Sequence, residues 1–381
     1  MDVNEKKNDK KRSLTLVDGS GFIFRAYYAL PPLTRKDGTP INAVMGYCNM
    51  IWRLIAETKT DSLAVIFDTA SKTFRNEIYK EYKANRSEAP EDLVPQFSLI
   101  REATKAFNIP YIELAGYEAD DIIATYASQA SSEGWKVDII SSDKDLMQLV
   151  NDNVKMIDPM KMITIDKEQV FKKFGVYPDR VIDVQALAGD STDNIPGVPG
   201  IGIKTAAELI NHYGDLESLL TRAHEIKQPK RKENLVNFAD LARISMKLVT
   251  LSDDVKEIED FKKFKRQDID LNKLKTFLLE QGFNSLIGRL PNEDGFIESK
   301  SAYVALPQDK EEKQSKLDID INYKLITEEK DLINWVRGVY LKGIVAVDTE
   351  TTSIDSVSAD LVGVSLSFEP GNAIYIPLAH K

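Results

Sequence analysis

The sequence predicts an α/β fold built on a parallel sheet and continued by an all-helical part. Two observations predict it: short aliphatic runs alternate with helical-period segments, and strand signals cease after about residue 179. Leu14 to Val17 is the first run, followed by a polar turn at Asp18. Ala43, Val44, Tyr47, Cys48, Ile51 and Ile55 then recur at helical spacing. Leu63 to Phe67 reads as the next buried strand, and Val137 to Ile140 as another. Between them, Ala119, Ile122, Ile123, Tyr126, Ala127 and Ala130 mark a helix. From Asp179 to Phe283 only helices and turns are expected, so the division is a core over 13–178 and a helical part over 179–295.

A lysine-rich tail at 1–12 precedes the core and lacks the apolar run of a signal peptide. Ser299 to Asp318 mixes Lys, Glu, Gln, Ser and Pro, which reads as a linker over 296–320. A new unit follows at 321–381, with Ile344 to Val347 and Leu361 to Phe368 as strands; its roughly 60 residues are marginal for an independent core.

Composition narrows the chemistry. Fifty basic and sixty acidic residues give a net charge of −10, which argues against a histone-like basic binder. One cysteine, Cys48, excludes an internal disulfide framework, and three histidines disfavour a His-rich metal site. Any metal is then held by oxygen, which favours Mg²⁺ or Mn²⁺. No stretch approaches the roughly 18 apolar residues that span a bilayer, and a cytoplasmic location is expected.

The acids are not scattered. Three strand candidates end in Asp18, Asp68 and Asp143, and in open parallel sheets ligands collect at the carboxyl ends of strands. Each alone is more commonly just a turn or helix N-cap residue, a reading that three on strands of one sheet make less comfortable. In GYEADD, Glu118, Asp120 and Asp121 open a helix, where the dipole favours acids in any case. In SSDKD, Asp143 and Asp145 share a loop. GDSTDNIPG places Asp190 and Asp193 after an apolar helix, at the unfavourable end of its dipole and with few lysines adjacent. Nine converging carboxylates without cations repel one another. Two bound divalent ions resolve this and give a phosphodiester-cleaving arrangement, one activating water and the other stabilising the leaving oxygen.

KTFRNEIYKEYKANR carries a surplus of three positive charges, from Lys72, Arg75, Lys80, Lys83 and Arg86 against Glu77 and Glu81. Tyr79 and Tyr82 are interleaved, as suits phosphate pairing and base stacking, although a solvated helix has the same composition. Further on, IPGVPGIGIKTAAELI sets Gly200-Ile201-Gly202 as a tight turn before a helix starting near Lys204. It resembles the helix–hairpin–helix motif, whose exposed N–H groups hold a DNA backbone without sequence preference.

Five ordered segments, VDGSGFIFRAYYA, FRNEIYKEYKANR, GYEADD, SSDKDLMQLV and GDSTDNIPGVPGIGIKTA, together resemble the 5′ nuclease domain of the bacterial DNA polymerase I type, within the flap endonuclease family. The resemblance covers about Leu14 to Leu290. It implies a two-metal site on the α/β core and a helical arch over it, near 72–90. It also implies a helix–hairpin–helix gripping duplex DNA, with a monovalent cation at that motif. Asp18, Asp68, Glu118, Asp120, Asp121, Asp143, Asp145, Asp190 and Asp193 take the metal-binding roles. Lys83 and Arg86 take the catalytic roles at the scissile phosphate, and Arg75, Tyr79, Gly200, Gly202 and Lys204 contact DNA. The implied substrates are 5′ flaps, nicked duplexes and RNA primers in replication and repair, handled by a monomer.

IVAVDTETTS and the following LVGVSLSFEPGNAIYIPLAH resemble the start of a ribonuclease-H-like 3′–5′ exonuclease domain, with Asp348 and Glu350 as its first ligands. The later acidic motifs are missing, so neither proofreading nor polymerisation is expected from this chain. Two other readings stay open: a non-catalytic helix–hairpin–helix DNA binder, which Mg²⁺-dependent cleavage excludes, and a related RNA-cleaving nuclease. Setting aside the eleven acids assigned to the two sites leaves acids and bases almost equal, so the chain's acidity does not speak against DNA.

Overall fold

The structure is a computed structural model that describes residues 12–69, 71–290, 322–342, 345–353, 359–369 and 371–378. The expected basic tail except Arg12, the linker at 296–320 and Ile344 lie outside the described residues. The described residues fall into two compact units, one ending at 290 and one beginning at 322.

In the first unit β1 (Ser13–Asp18) is followed by α1 (Gly19–Ala29), α2 (Asn42–Glu57), β2 (Ser62–Ile66), α3 (Phe74–Ile78) and α4 (Gln96–Ala106). Next come β3 (Tyr111–Ile112), α5 (Ala119–Ser132), β4 (Lys136–Ile140), β5 (Val154–Ile157) and β6 (Thr164–Ile165). The sheet runs in the order β3-β2-β1-β4-β5-β6, parallel except for β6. β1 sits between β2 and β4, with Val17 opposite both Val65 and Ile140. The strand order therefore reverses at β1, and the crevice beyond its carboxyl end is where an open sheet of this kind binds ligands.

Alternation along the strands sorts side chains between two faces. Leu14, Leu16, Ala64 and Ile66 pack with Ile122, Ile123 and Tyr126 of α5. Val17, Leu63 and Val65 pack on the other side with α1, α2 and α4. Both faces are covered, which is why the strand runs are apolar throughout rather than alternating.

Helices α6 (Lys167–Phe174), α7 (Val181–Ala188), α8 (Ile203–Tyr213), α9 (Leu216–Thr221), α10 (Pro229–Asn237) and α11 (Ala239–Val249) follow. The unit closes with α12 (Leu271–Gln281) and α13 (Asn284–Ile287). No strand occurs among the described residues of 179–283, as the sequence predicts. The expected boundary at 178/179 is not a break in packing, because Val184, Leu187, Ile201, Leu209 and Leu235 share one core with Leu14 and Ile122. The helical part is also divided. Leu274, Phe277, Leu278, Phe283 and Leu286 return to the opposite face of the sheet. Leu63 N–H donates to Phe264 O at 2.8 Å, and Arg266 reaches the carbonyls of Ile55 and Thr58.

Of the expected arch at 72–90, only α3 is helical; the rest, on to Pro95, runs as turns and irregular backbone. Tertiary contacts outcompete the helix there. Tyr82 is buried against Ile195, Leu248 and Val249, while Lys83 N–H donates to Asp193 O at 2.9 Å. Asn85 and Asn194 exchange contacts with the carbonyls of Ser191 and Glu81 across the same seam. Lys83 itself takes a left-handed backbone, φ 57°, which ends helical continuation.

The second unit holds β7 (Asn322–Leu325), α14 (Glu329–Lys342), β8 (Ala346–Thr351), β9 (Leu361–Glu369) and β10 (Asn372–Pro377), with sheet order β7-β10-β9-β8. Trp335 of α14 packs on Phe368 with ring centroids 4.8 Å apart. No helix among the described residues is long and apolar enough to cross a membrane.

Candidate active site

The carboxyl edge of the first sheet carries a cleft of about 180 Å³ lined by Asp18, Asp68, Glu118, Asp120, Asp143, Asp145 and Asp193. Asp18 ends β1 and caps α1, accepting from Gly21 N–H at 2.8 Å. Asp68 follows β2 and accepts from Ala119 N–H at 2.8 Å, so it fixes the start of α5 that carries Glu118 and Asp120. Beyond β4, Ser141 Oγ donates to Asp18 at 2.8 Å, Asp143 N–H donates to Ser141 Oγ at 3.0 Å, and Asp145 N–H donates to Asp143 at 2.9 Å. Asp18, Asp143 and Asp145 are thus spaced by one chain of hydrogen bonds.

Electrostatics follow from this crowding. Burial, aided by repulsion from Asp68 and Asp143, pushes the Asp18 carboxyl up to about 6. Burial and Asp143 push Asp145 up to about 7, against a donation from Gln185. Asp120 is raised well above the usual carboxylate range by burial and by the charges of Asp143, Asp18, Asp68 and Glu118. These three acids lack enough positive charge around them.

Glu118 and Asp193 have cations. Lys83 Nζ lies 2.8 Å from Glu118 and 3.6 Å from Asp193, and Arg86 pairs with Asp193 as well. Burial alone lowers the affinity of Lys83 for its proton, but Glu118 and Asp193 outweigh it and raise the pKa. As placed, no three acids, histidines or cysteines among the described residues close on one point to hold a metal ion. Glu118 and Asp193 are turned to the cations instead.

Asp121 and Asp190 do not line the cleft. Asp121 is fully buried and accepts from both terminal guanidinium nitrogens of Arg75, at 2.7 and 2.8 Å. It also accepts from Ser252 N–H at 2.9 Å and Glu118 N–H at 3.1 Å. Its expected role as a metal ligand is therefore corrected to a structural one. Arg75 is corrected with it: 1% exposed, it donates onward to the carbonyls of Leu248 at 2.8 Å and Thr250 at 3.1 Å, and no surface remains to meet DNA. Tyr82, 4% exposed, is unavailable for base stacking. Asp190 pairs with Lys144 at 2.6 Å and accepts from Thr192 N–H at 2.7 Å. Burial raises the Asp190 carboxyl, but these partners outweigh it and hold it below the usual range. The compensation that the sequence seemed to lack around Asp190 and Asp193 thus comes from cations distant in the chain.

The hairpin between α7 and α8 is set by backbone proximity. At Gly189 a Cβ would lie 2.5 Å from Ile195 O, and at Gly197, φ 61°, it would lie 2.5 Å from Gly189 N. Only glycine fits this crossing. Gly200, Gly202 and Lys204 are exposed beyond it, at the start of α8, while Tyr79 is half-buried beside Tyr82. In the second unit Asp348 and Glu350 lie two apart on β8, on one face and exposed, and no third acid joins them among the described residues.

Sequence reasoning missed Ser141, Lys144 and Gln185. Ser141 and Lys144 lie inside the SSDKD segment and could have been found there; nothing local marks Gln185.

A family model described as the N-terminal resolvase-like domain of 5′–3′ exonuclease matches residues 13–175, and its C-terminal SAM-fold counterpart matches 176–272. A 3′–5′ exonuclease model matches 323–381. The 5′–3′ exonuclease of Aquifex aeolicus is 43% identical over 280 residues, covering 72% of this chain and 94% of that protein. DNA polymerase I of Rhizobium leguminosarum is 43% identical over 440 residues, covering 97% of this chain. The chain spans 43% of that polymerase's length. Among solved structures, the T5 5′-exonuclease with bound zinc has a TM-score of 0.55 at 25% identity, covering 64% of this chain and 91% of that one.

Proposed function

Because the chain belongs to the 5′–3′ exonuclease family, we propose that it is a metal-dependent, structure-specific nuclease that hydrolyses DNA phosphodiesters at 5′ flaps and nicks. RNA primers paired to DNA are a further substrate in this reading. The setting is replication and repair, as the 5′ nuclease part of a bacterial DNA polymerase I acting as a monomer in the cytoplasm. One observation carries the proposal: seven carboxylates from separate chain segments converge on a cleft at the reversal of the strand order, with Lys83 and Arg86 at its side.

The donor set fits hard divalent cations. It is all carboxylate oxygen, and Asp18, Asp120 and Asp145 are raised by burial and by the charges of neighbouring acids. Asp18, Asp68, Glu118, Asp120, Asp143, Asp145 and Asp193 are the residues that would hold Mg²⁺ or Mn²⁺, as two or more ions. Bound there, such ions supply an activated water and compensate charge on the leaving oxygen.

The chain's own groups do the rest. Ser141 holds Asp18 and spaces it from Asp143, so the acids stay apart yet converge. Lys83 and Arg86, paired with Glu118 and Asp193, would supply positive charge to a phosphate at the mouth of the cleft. The N–H groups at the start of α8, with the Lys204 ammonium, track a duplex backbone, and a monovalent cation at the Gly200–Gly202 turn belongs to the same proposal. Asp348 and Glu350 are assigned as a ligand pair of a 3′–5′ exonuclease fold; two carboxylates alone provide no proofreading site.

The test is Mg²⁺-dependent cutting of a 5′-flap duplex by the chain and by Asp143→Ala. The expected result is loss of cutting in the variant with DNA binding largely retained; full activity in Asp143→Ala overturns the assignment. Binding without cutting by the unaltered chain supports the non-catalytic reading instead, and preference for single-stranded RNA supports the RNA-cleaving one.

A further inference from the structure

Gln185 is a glutamine of α7 in the helical part, 4% exposed. Its Nε2 donates to Asp145 Oδ1 at 2.5 Å. Its Oε1 is buried and has no hydrogen-bond partner among the described residues. One side of the amide therefore grips an acid of the cleft, while the other is an unused acceptor, which is costly to bury.

The grip lies at the end of a chain of contacts. Asp145 N–H reaches Asp143, Asp143 N–H reaches Ser141, and Ser141 reaches Asp18. Beside it, Lys144 of the same loop pairs with Asp190 just past the end of α7. The loop at 143–145 is thus fastened at two points, to α7 and just past its end, and Gln185 is the one that touches an acid lining the cleft. Its chemistry suits the place. An amide donor orients a carboxylate without cancelling its charge, whereas a lysine at 185 would add a full positive charge and compete with a cation.

We propose that Gln185 is a positioning residue of the nuclease site, holding Asp145 at the angle a divalent cation needs. This rests on the nuclease reading above. Partners that orient a ligand in this way change metal affinity or activity by about 10–100-fold when removed.

The test uses the full chain, with Gln185→Met, which keeps length and loses both polar atoms, and Gln185→Lys, which restores a donor but adds charge. Mn²⁺ binding without DNA is followed by EPR, cutting of a 5′-flap duplex by single turnover at saturating metal, and folding by thermal melting in EDTA. Gln185→Met is expected to lose about 10–100-fold in Mn²⁺ affinity or single-turnover rate, with flap-duplex affinity and melting nearly unchanged. Gln185→Lys is expected to recover cutting at saturating Mn²⁺ but to need more of the ion. A Gln185→Met chain that binds Mn²⁺ and cuts like the parent overturns the proposal, as does one whose losses follow its melting temperature. If the parent chain itself neither binds Mn²⁺ nor cuts, the nuclease reading has failed rather than the role of Gln185.

Discussion

Replacing Arg75 with methionine separates two roles that its place in a basic segment confuses. Arg75 and Asp121 are 1% and 0% exposed and share two bonds of 2.7 and 2.8 Å. Methionine fills much of the volume but strands the Asp121 carboxylate in the core. Breaking a buried pair from one side costs about 3–5 kcal/mol. Two carbonyls, of Leu248 and Thr250, lose their donor as well, and each adds to the loss. At roughly 2–4 °C per kcal/mol for a unit of this size, Tm falls by about 6–20 °C. Thermal melting by far-UV circular dichroism, with urea titration alongside, measures it. Pairing Arg75→Met with Asp121→Asn removes the stranded charge and is expected to recover a large part of the loss. A variant that melts like the parent but loses affinity for a flap duplex would refute the reasoning, since it would make Arg75 a surface contact to phosphate.

Three further outcomes follow from the geometry. Asp18 and Asp145 have carboxyls raised to about 6 and about 7. The folded state therefore binds protons that the unfolded chain has released. In EDTA, the stabilisation from these groups is full below about pH 4 and is lost as pH rises to about 7, a difference of a few kcal/mol; urea midpoints across that window should fall, and excess Mg²⁺ should reverse the trend. Lys204→Ala is expected to weaken duplex binding about equally for all sequences and to lower the slope of log affinity against log salt by about 1, measured by fluorescence anisotropy. Gly197→Ala, at φ 61° and 2.5 Å from Gly189 N, should destabilise by more than about 2 kcal/mol. Gly202→Ala faces open space and should fold normally while losing DNA affinity, so melting and binding assays should part company at these two glycines.

The acids at strand ends were legible because a strand end is a local event: aliphatic residues, then a polar turn. Their convergence was legible too, since parallel strands bring equivalent ends to one edge. Asp120 and Asp121 were not separable by eye. Neighbours on a helix point about 100° apart, so Asp120 faces the cleft and Asp121 faces Arg75 in the core. A run of basic residues reads as solvated surface, and nothing local reports that Arg75 meets Asp121 and Leu248. Tyr82 was misread for the same reason, because its burial depends on residues beyond 190. Gln185 was silent, a polar residue in an apolar helix whose partner lies forty residues earlier.

The return of α12 and α13 to the far face of the sheet has a bearing on synthesis. Leu63 takes a backbone partner at Phe264, and Val17, Leu63 and Phe107 share a cluster with Leu278 and Leu286. Strands translated first therefore wait for about two hundred later residues before one side of their layer is sealed. Until then the nascent chain shows an apolar face, the kind of surface that recruits holding chaperones and aggregates when translation is slow. A stop codon near 260 would leave every acid of the cleft in the chain and still yield an insoluble product.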